Sequence, residues 1–90
     1  LGSRGDAVPV NSIKGALGHT MGAAAALEAI VCLLAGRYGQ VPATVGLEER
    51  DPACELDCVQ GSPRAVRPRV SLSTSLGFGG CNAALVIESA

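Results

Sequence analysis

A chain of 90 residues with a formal net charge of -1 and no run of like charge carries no electrostatic footprint for nucleic acid or an anionic membrane surface. Hydrophobic residues make up 48% and aromatics 2%, so a core must be aliphatic and alanine-rich. The sequence starts at Leu1 without a charged segment followed by an apolar one, so no signal peptide is read, and free reduced cysteines set the expectation of a cytoplasmic location.

Residues 1–6 (Leu-Gly-Ser-Arg-Gly-Asp) read as a polar loop. Their Arg-Gly-Asp spells an integrin-binding tripeptide, a match that three residues reach easily by chance. Residues 7–13 (Ala-Val-Pro-Val-Asn-Ser-Ile) suit a short strand with proline near its start. Residues 14–18 then form a strand-to-helix turn with two glycines. His19 or Thr20 takes the cap of a helix over 21–35, Gly36 and Gly39 stop it, and Arg37 meets the carbonyl end of its dipole. Gly22 and the alanines at 23–26 expose little side chain, so another element can approach closely. The apolar run 21–36 is interrupted by Glu28 and falls short of the ~18–20 residues of a bilayer span. No membrane partner is expected.

Residues 40–46 are extended, and 47–69, with prolines at 52, 63 and 68, cross the surface irregularly with a short strand near 56–59. Residues 70–76 (Val-Ser-Leu-Ser-Thr-Ser-Leu) alternate with period two, Gly77-Phe78-Gly79-Gly80 breaks the pattern, and 83–87 form a closing strand. The class is α/β: strand, long buried helix, closing hairpin. A helix apolar on every side must be enclosed by other elements, and one helix with two or three strands cannot do it. The 90 residues therefore read as the C-terminal piece of a larger domain.

Four cysteines (32, 54, 58, 81) raise disulfides or zinc. Cys54 and Cys58 have a finger-like spacing, but no second Cys/His pair accompanies them, so free thiols and no metal are expected.

Three features could carry chemistry. Glu28 is the one ionisable group in the apolar helix, and a buried carboxylate needs a partner; Lys14 is the candidate, against a rim position in solvent. His19, the only histidine, sits at the helix start, where the dipole favours a neutral ring that can donate to a developing oxyanion. The bland alternative is a structural cap. His19 and Glu28 are nine residues apart and share a site only if His19 precedes the first turn. Gly77–Gly80 with Phe78 could aim backbone N–H groups at an anionic oxygen, with the aromatic as a plug, or be a tight turn with a packed ring. A phosphate loop at 15–20 is disfavoured because the lysine precedes the glycines. Cys81 is the best nucleophile candidate within the chain, with no base beside it.

Pro-Val-Asn-Ser-Ile-Lys-Gly-Ala-Leu-Gly-His-Thr-Met-Gly-Ala-Ala and Ser-Leu-Gly-Phe-Gly-Gly-Cys-Asn together resemble the C-terminal end of the β-ketoacyl-acyl carrier protein synthases, the condensing enzymes of fatty acid and polyketide synthesis. The resemblance implies a thiolase-like, layered α-β-α-β-α domain working as a homodimer or heterodimer, of which residues 1–90 are the C-terminal part. It implies Lys14 and His19 as the active-site lysine and second histidine, and Glu28 as the lysine's partner. Phe78 becomes the gating phenylalanine with its N–H in the oxyanion hole, between Gly77, Gly79 and Gly80. Leu76 and Asn82 would line the substrate pocket. The nucleophilic cysteine and first histidine would lie in an upstream half; none of the four cysteines matches the nucleophile.

The implied reaction is decarboxylative Claisen condensation of an acyl thioester with malonyl-acyl carrier protein, with no cofactor beyond the carrier's phosphopantetheine. The implied partners are the carrier protein and the remainder of the domain. Leu76 stands where many members have phenylalanine, Cys81 where threonine is common, and Gly15 where serine is frequent, the last a minor change. The alternative is a non-catalytic partner subunit like a chain-length factor. A non-decarboxylating thiolase fits less well, since its cysteine would precede a glycine run rather than follow one.

Overall fold

The computed structural model describes all 90 residues as two compact units, Leu1–Gly18 with Val41–Ala65, and His19–Gln40 with Val66–Ala90.

In the first unit a 3-10 turn at Gly2–Arg4 holds the arginine of the Arg-Gly-Asp tripeptide, and Ala7 N–H donates to the Arg4 carbonyl at 3.1 Å. The expected strand over 7–13 shrinks to one parallel bridge, Val10 beside Cys58, with Val10 N–H donating to Asp57 O (2.8 Å) and Val59 N–H to Val10 O (2.9 Å). Pro9 has no N–H to extend the ladder, and the Ser12 N–H goes to the Thr44 hydroxyl at 3.1 Å. The expected turn at 14–18 is one turn of helix, α1 (Lys14–Leu17), ended by Gly18 N–H on the Lys14 carbonyl at 2.8 Å.

Gly15 packs its Cα against the chain at Val45. A Cβ there would lie 2.0 Å from the Val45 carbonyl oxygen, so serine at this position requires the 44–46 backbone to move. The change to glycine is therefore not minor in this chain. The two-residue strands β1 (Gln40–Val41) and β2 (Arg64–Ala65) form a minimal sheet, and Val41 and Val59 are the buried hydrophobics of the unit.

In the second unit a 3-10 turn, Met21–Ala23, leads into α2 (Ala24–Tyr38). The helix runs three residues past the expected end. Gly39 stops it in the left-handed conformation (φ 69°), its N–H on the Ala35 carbonyl at 2.9 Å. Gly36 is a buried interior residue, not a stop: a Cβ on it would fall 2.0 Å from the Ser89 hydroxyl oxygen. Arg37, in the last turn, lies over the Tyr38 ring at 5.7 Å. The helical run Met21–Tyr38 has 18 residues at a mean hydropathy of 1.4, so by length and composition alone it is long enough for a minimal membrane span, contrary to the expectation from its apolar run. One side of α2 packs on the hairpin that follows.

That hairpin is β3 (Val70–Leu76) and β4 (Asn82–Glu88), antiparallel, with pairs running from Val70 opposite Glu88 to Leu76 opposite Asn82. The alternation faces the opposite way from a simple apolar-in strand. Ser73 is buried and Ser71 and Ser75 half-buried, while Val70, Leu72 and Leu76 are exposed. Directly opposed residues share a face, so Ile87, Leu85 and Ala83 join the serines, and Val86 and Asn82 join Leu72 and Leu76. Small hydroxyl side chains let an alanine-rich helix lie close to the sheet. The other face of the sheet stays apolar and open. Ile30, Leu33 and Leu34 on α2 are likewise exposed, so this chain alone does not enclose its apolar helix.

Candidate functional site

His19 lies before the first helical turn, which satisfies the condition for sharing a site with Glu28, and it is exposed. Its Nδ1 accepts the Met21 N–H at 3.1 Å. An accepting Nδ1 puts the neutral ring's proton on Nε2, so the ring presents an N–H donor on the side away from the helix. Thr20 makes no side-chain cap bond, and the imidazole fills that need. The geometry has a cost. Met21 is the one non-glycine residue with positive φ (52°), a conformation about 1–2 kcal/mol above the right-handed region. Nothing in the residue type of Met21 signals this, and it is the feature of the site that reading the sequence missed.

Lys14 opens α1, half-buried, its backbone N–H directed to the Ser12 hydroxyl at 3.3 Å. Glu28 is half-buried on α2, one helical turn before Cys32. Burial, and then the Glu28 carboxylate, push the Cys32 thiol above its ordinary range. Neither Lys14 nor Glu28 is without a partner.

The hairpin register sets the rest. Leu76 and Asn82, the last pair of the ladder, face each other on the open side of the sheet, and five residues, 77–81, span the gap between them. Gly77 N–H closes this loop onto the Cys81 carbonyl at 2.7 Å. Gly79 and Gly80 take φ of 80° and 84°, which only glycine adopts freely. The amides of Phe78 and Gly79 donate to no backbone carbonyl, and the Phe78 ring stands fully exposed at the tip of the turn. An exposed tip of free amides is a geometry that can receive an anionic oxygen.

All four cysteines carry free thiols, and no group of three or more His, Cys, Asp or Glu is assembled that could hold a metal. An open cleft of about 430 Å³ in the first unit, lined by Gly2, Ser3, Gly5, Asp6, Arg50 and Glu55, contains none of the candidate residues.

Helix, hairpin and glycine loop superpose on solved ketosynthases, and the fold is the C-terminal portion of a thiolase-like domain. A structure described as the ishigamide ketosynthase/chain length factor matches 89% of this chain at 40% identity with a TM-score of 0.85, and 20% of that chain is covered. A β-ketoacyl synthase from Burkholderia phymatum STM815 matches 90% at 36% identity and a TM-score of 0.86, again over 20% of its own length.

Residues 1–48 match the family described as β-ketoacyl synthase, C-terminal domain, and the chain belongs to that family. Among curated relatives, the ketoacyl synthase alpha subunit of the tetracenomycin polyketide synthase of Streptomyces glaucescens is 45% identical over 97% of the chain and 20% of the relative. The 3-oxoacyl-[acyl-carrier-protein] synthase 2 of Synechocystis sp. (strain ATCC 27184 / PCC 6803 / Kazusa) is 40% identical over 98% of the chain and 21% of the relative. The chain thus spans about one fifth of the length of these proteins.

Proposed function

We propose that the intact protein condenses an acyl thioester with malonyl-acyl carrier protein, with loss of carbon dioxide, in fatty acid or polyketide synthesis. The observation that carries this reading is the His19 ring, held by the Met21 amide with Nε2 as the donor. As the malonyl group loses carbon dioxide, negative charge collects on its thioester oxygen, and a preplaced neutral N–H stabilises it without first giving up a proton. The resulting enolate carbon attacks the acyl thioester held on an upstream cysteine, and the cysteine sulfur leaves.

Lys14 and Glu28 are positioning residues that order the surroundings of His19. Phe78 gates the acyl pocket, and its amide, with the freedom that Gly77, Gly79 and Gly80 give the loop, receives the oxyanion of the acyl transfer. Leu76 and Asn82 line the pocket. The substrates arrive on the phosphopantetheine of the carrier protein, no other cofactor takes part, and the protein works in the cytoplasm as a dimer with a second ketosynthase chain. Residues 1–90 supply the C-terminal part of the half-domain.

A second reading is a non-catalytic partner subunit, favoured by the likeness to a ketosynthase/chain length factor structure. The presence of both Lys14 and His19 argues for the enzyme. Malonyl decarboxylation by the intact protein, wild type beside His19→Ala, separates the two. The synthase reading expects a loss on the order of 10²-fold or more in the variant. A well-folded protein inactive in both forms would leave the partner-subunit reading.

A further inference from the structure

The loop between Glu48 and Gln60 is tied across its base twice. The Gln60 amide donates to the Glu48 carbonyl, and inside that tie Arg50 Nη1 donates to the Leu56 carbonyl at 2.5 Å. Within the loop the chain reverses at Asp51, whose carboxylate accepts the Ala53 N–H (2.8 Å) and whose carbonyl accepts the Cys54 N–H (2.9 Å). A second tight bend brings the Cys58 N–H onto the Leu56 carbonyl at 2.9 Å. Four residues of extended chain would hold the sulfurs roughly 13 Å apart; the bend at Leu56–Cys58, which lies between the two cysteines, folds that stretch back. The Cys54 and Cys58 side chains are hydrogen-bonding neighbours, and both residues are half-buried. Neither Cys32, in α2, nor Cys81, in the glycine loop, belongs to this cluster.

We propose that Cys54 and Cys58 are a redox-active dithiol that closes reversibly to an intramolecular disulfide when met by a low-molecular-weight disulfide such as oxidised glutathione. The exchange balances in two steps. The Cys54 thiolate attacks one glutathione sulfur, the glutathione S–S bond breaks, and one glutathione leaves as thiolate and takes up a proton. The Cys58 sulfur then attacks the Cys54 sulfur of the mixed disulfide and expels the second glutathione. The protein loses two electrons and two protons, and one glutathione disulfide becomes two thiols. Burial and the neighbouring Cys54 push the Cys58 thiol up, so it forms thiolate less readily and acts second.

The pair is placed to be felt elsewhere in its unit. Cys58 is the residue bridged to Val10, four residues before Lys14, so closing the disulfide stiffens the brace of the segment that delivers that lysine.

The test is peptide mapping of the intact protein, equilibrated with reduced and oxidised glutathione over a range of ratios, quenched by alkylation and digested without reductant. The result expected is a Cys54–Cys58 linked peptide, 2 mass units lighter than the dithiol since two hydrogens leave. It should appear as the glutathione couple becomes oxidising and return to the dithiol on adding reduced glutathione. Cys54→Ser should remove the disulfide and leave Cys58 without a stable adduct. Cys58→Ser should instead trap a glutathione adduct on Cys54. Alkylation of both cysteines at every ratio would overturn the proposal. So would a lasting mixed disulfide in the wild type, because the second thiol would then have failed to resolve it.

Discussion

His19 has two separable jobs in this structure, and a pair of substitutions divides them. Its Nδ1 accepts the Met21 N–H at the helix start at 3.1 Å, and in the proposed reaction its Nε2 is the donor to substrate. His19→Ala removes both. The lost bond is exposed, so water replaces some of it, and the net cost is about 0.5–1 kcal/mol. The left-handed Met21, about 1–2 kcal/mol uphill, also loses what holds it, which adds to the destabilisation.

His19→Asn divides the two jobs. An asparagine oxygen accepts an N–H two residues on, as in an Asx turn, so the structural bond returns while the distal donor is gone. Thermal melting of the intact protein should fall by about 1–3 °C in His19→Ala and by less than about 1 °C in His19→Asn. Malonyl decarboxylation should fall on the order of 10²–10³-fold in both. Nitrogen NMR of the labelled wild-type ring should find the neutral form protonated on Nε2. The division of labour is refuted if His19→Asn is as unstable as His19→Ala, or if it keeps decarboxylase activity.

Gly36→Ala should destabilise by up to about 2 kcal/mol. The gain of about 1 kcal/mol in helix propensity is outweighed by overpacking of about 1–3 kcal/mol, because Ser89 is fixed by its N–H on the Arg69 carbonyl at 2.8 Å. In a Ser89→Gly background the same change should stabilise, and denaturant unfolding of the four proteins gives both signs. Asp57 accepts two bonds from Arg64, and these hold its carboxyl below the usual range. A depressed native pKa gives stability that is complete above about pH 4 and is lost as pH falls through the native value. Asp57→Asn should therefore unfold with a shallower acid dependence than wild type below pH 4, while the two curves run parallel near neutrality. Leu76→Phe, on the open side of the hairpin, should leave thermal stability within about 0.5 kcal/mol. Mass spectrometry of the products should show that it shifts the acyl chain length accepted.

Much of the second unit was legible because its signals are local. The period-two pattern of residues 70–76 gave β3 its bounds, and the glycines after it gave the hairpin loop. Which face turned inward was not legible. Serine faces α2 because the helix offers alanine and glycine, a fact of packing that alternation alone does not contain. Gly36 looked like a stop for the same reason: a glycine needed for the approach of Ser89 is indistinguishable in sequence from one needed for a left-handed turn. In the first unit the strand at 7–13 dissolved because its amides go to partners distant in sequence, such as the Thr44 hydroxyl. At the site, residue type pointed to His19, Lys14, Glu28 and Phe78. The tautomer of His19 depends on the backbone of Met21, and no side chain announces that.

The most direct test of the proposed synthase is a condensation assay. The intact protein is given an acyl primer on carrier protein and malonyl-acyl carrier protein, and β-ketoacyl product and carbon dioxide are counted together. A condensing enzyme releases one carbon dioxide for each β-ketoacyl thioester formed, and that ratio is the result expected. A folded protein that makes no β-ketoacyl product, alone and with carrier protein in excess, would contradict it.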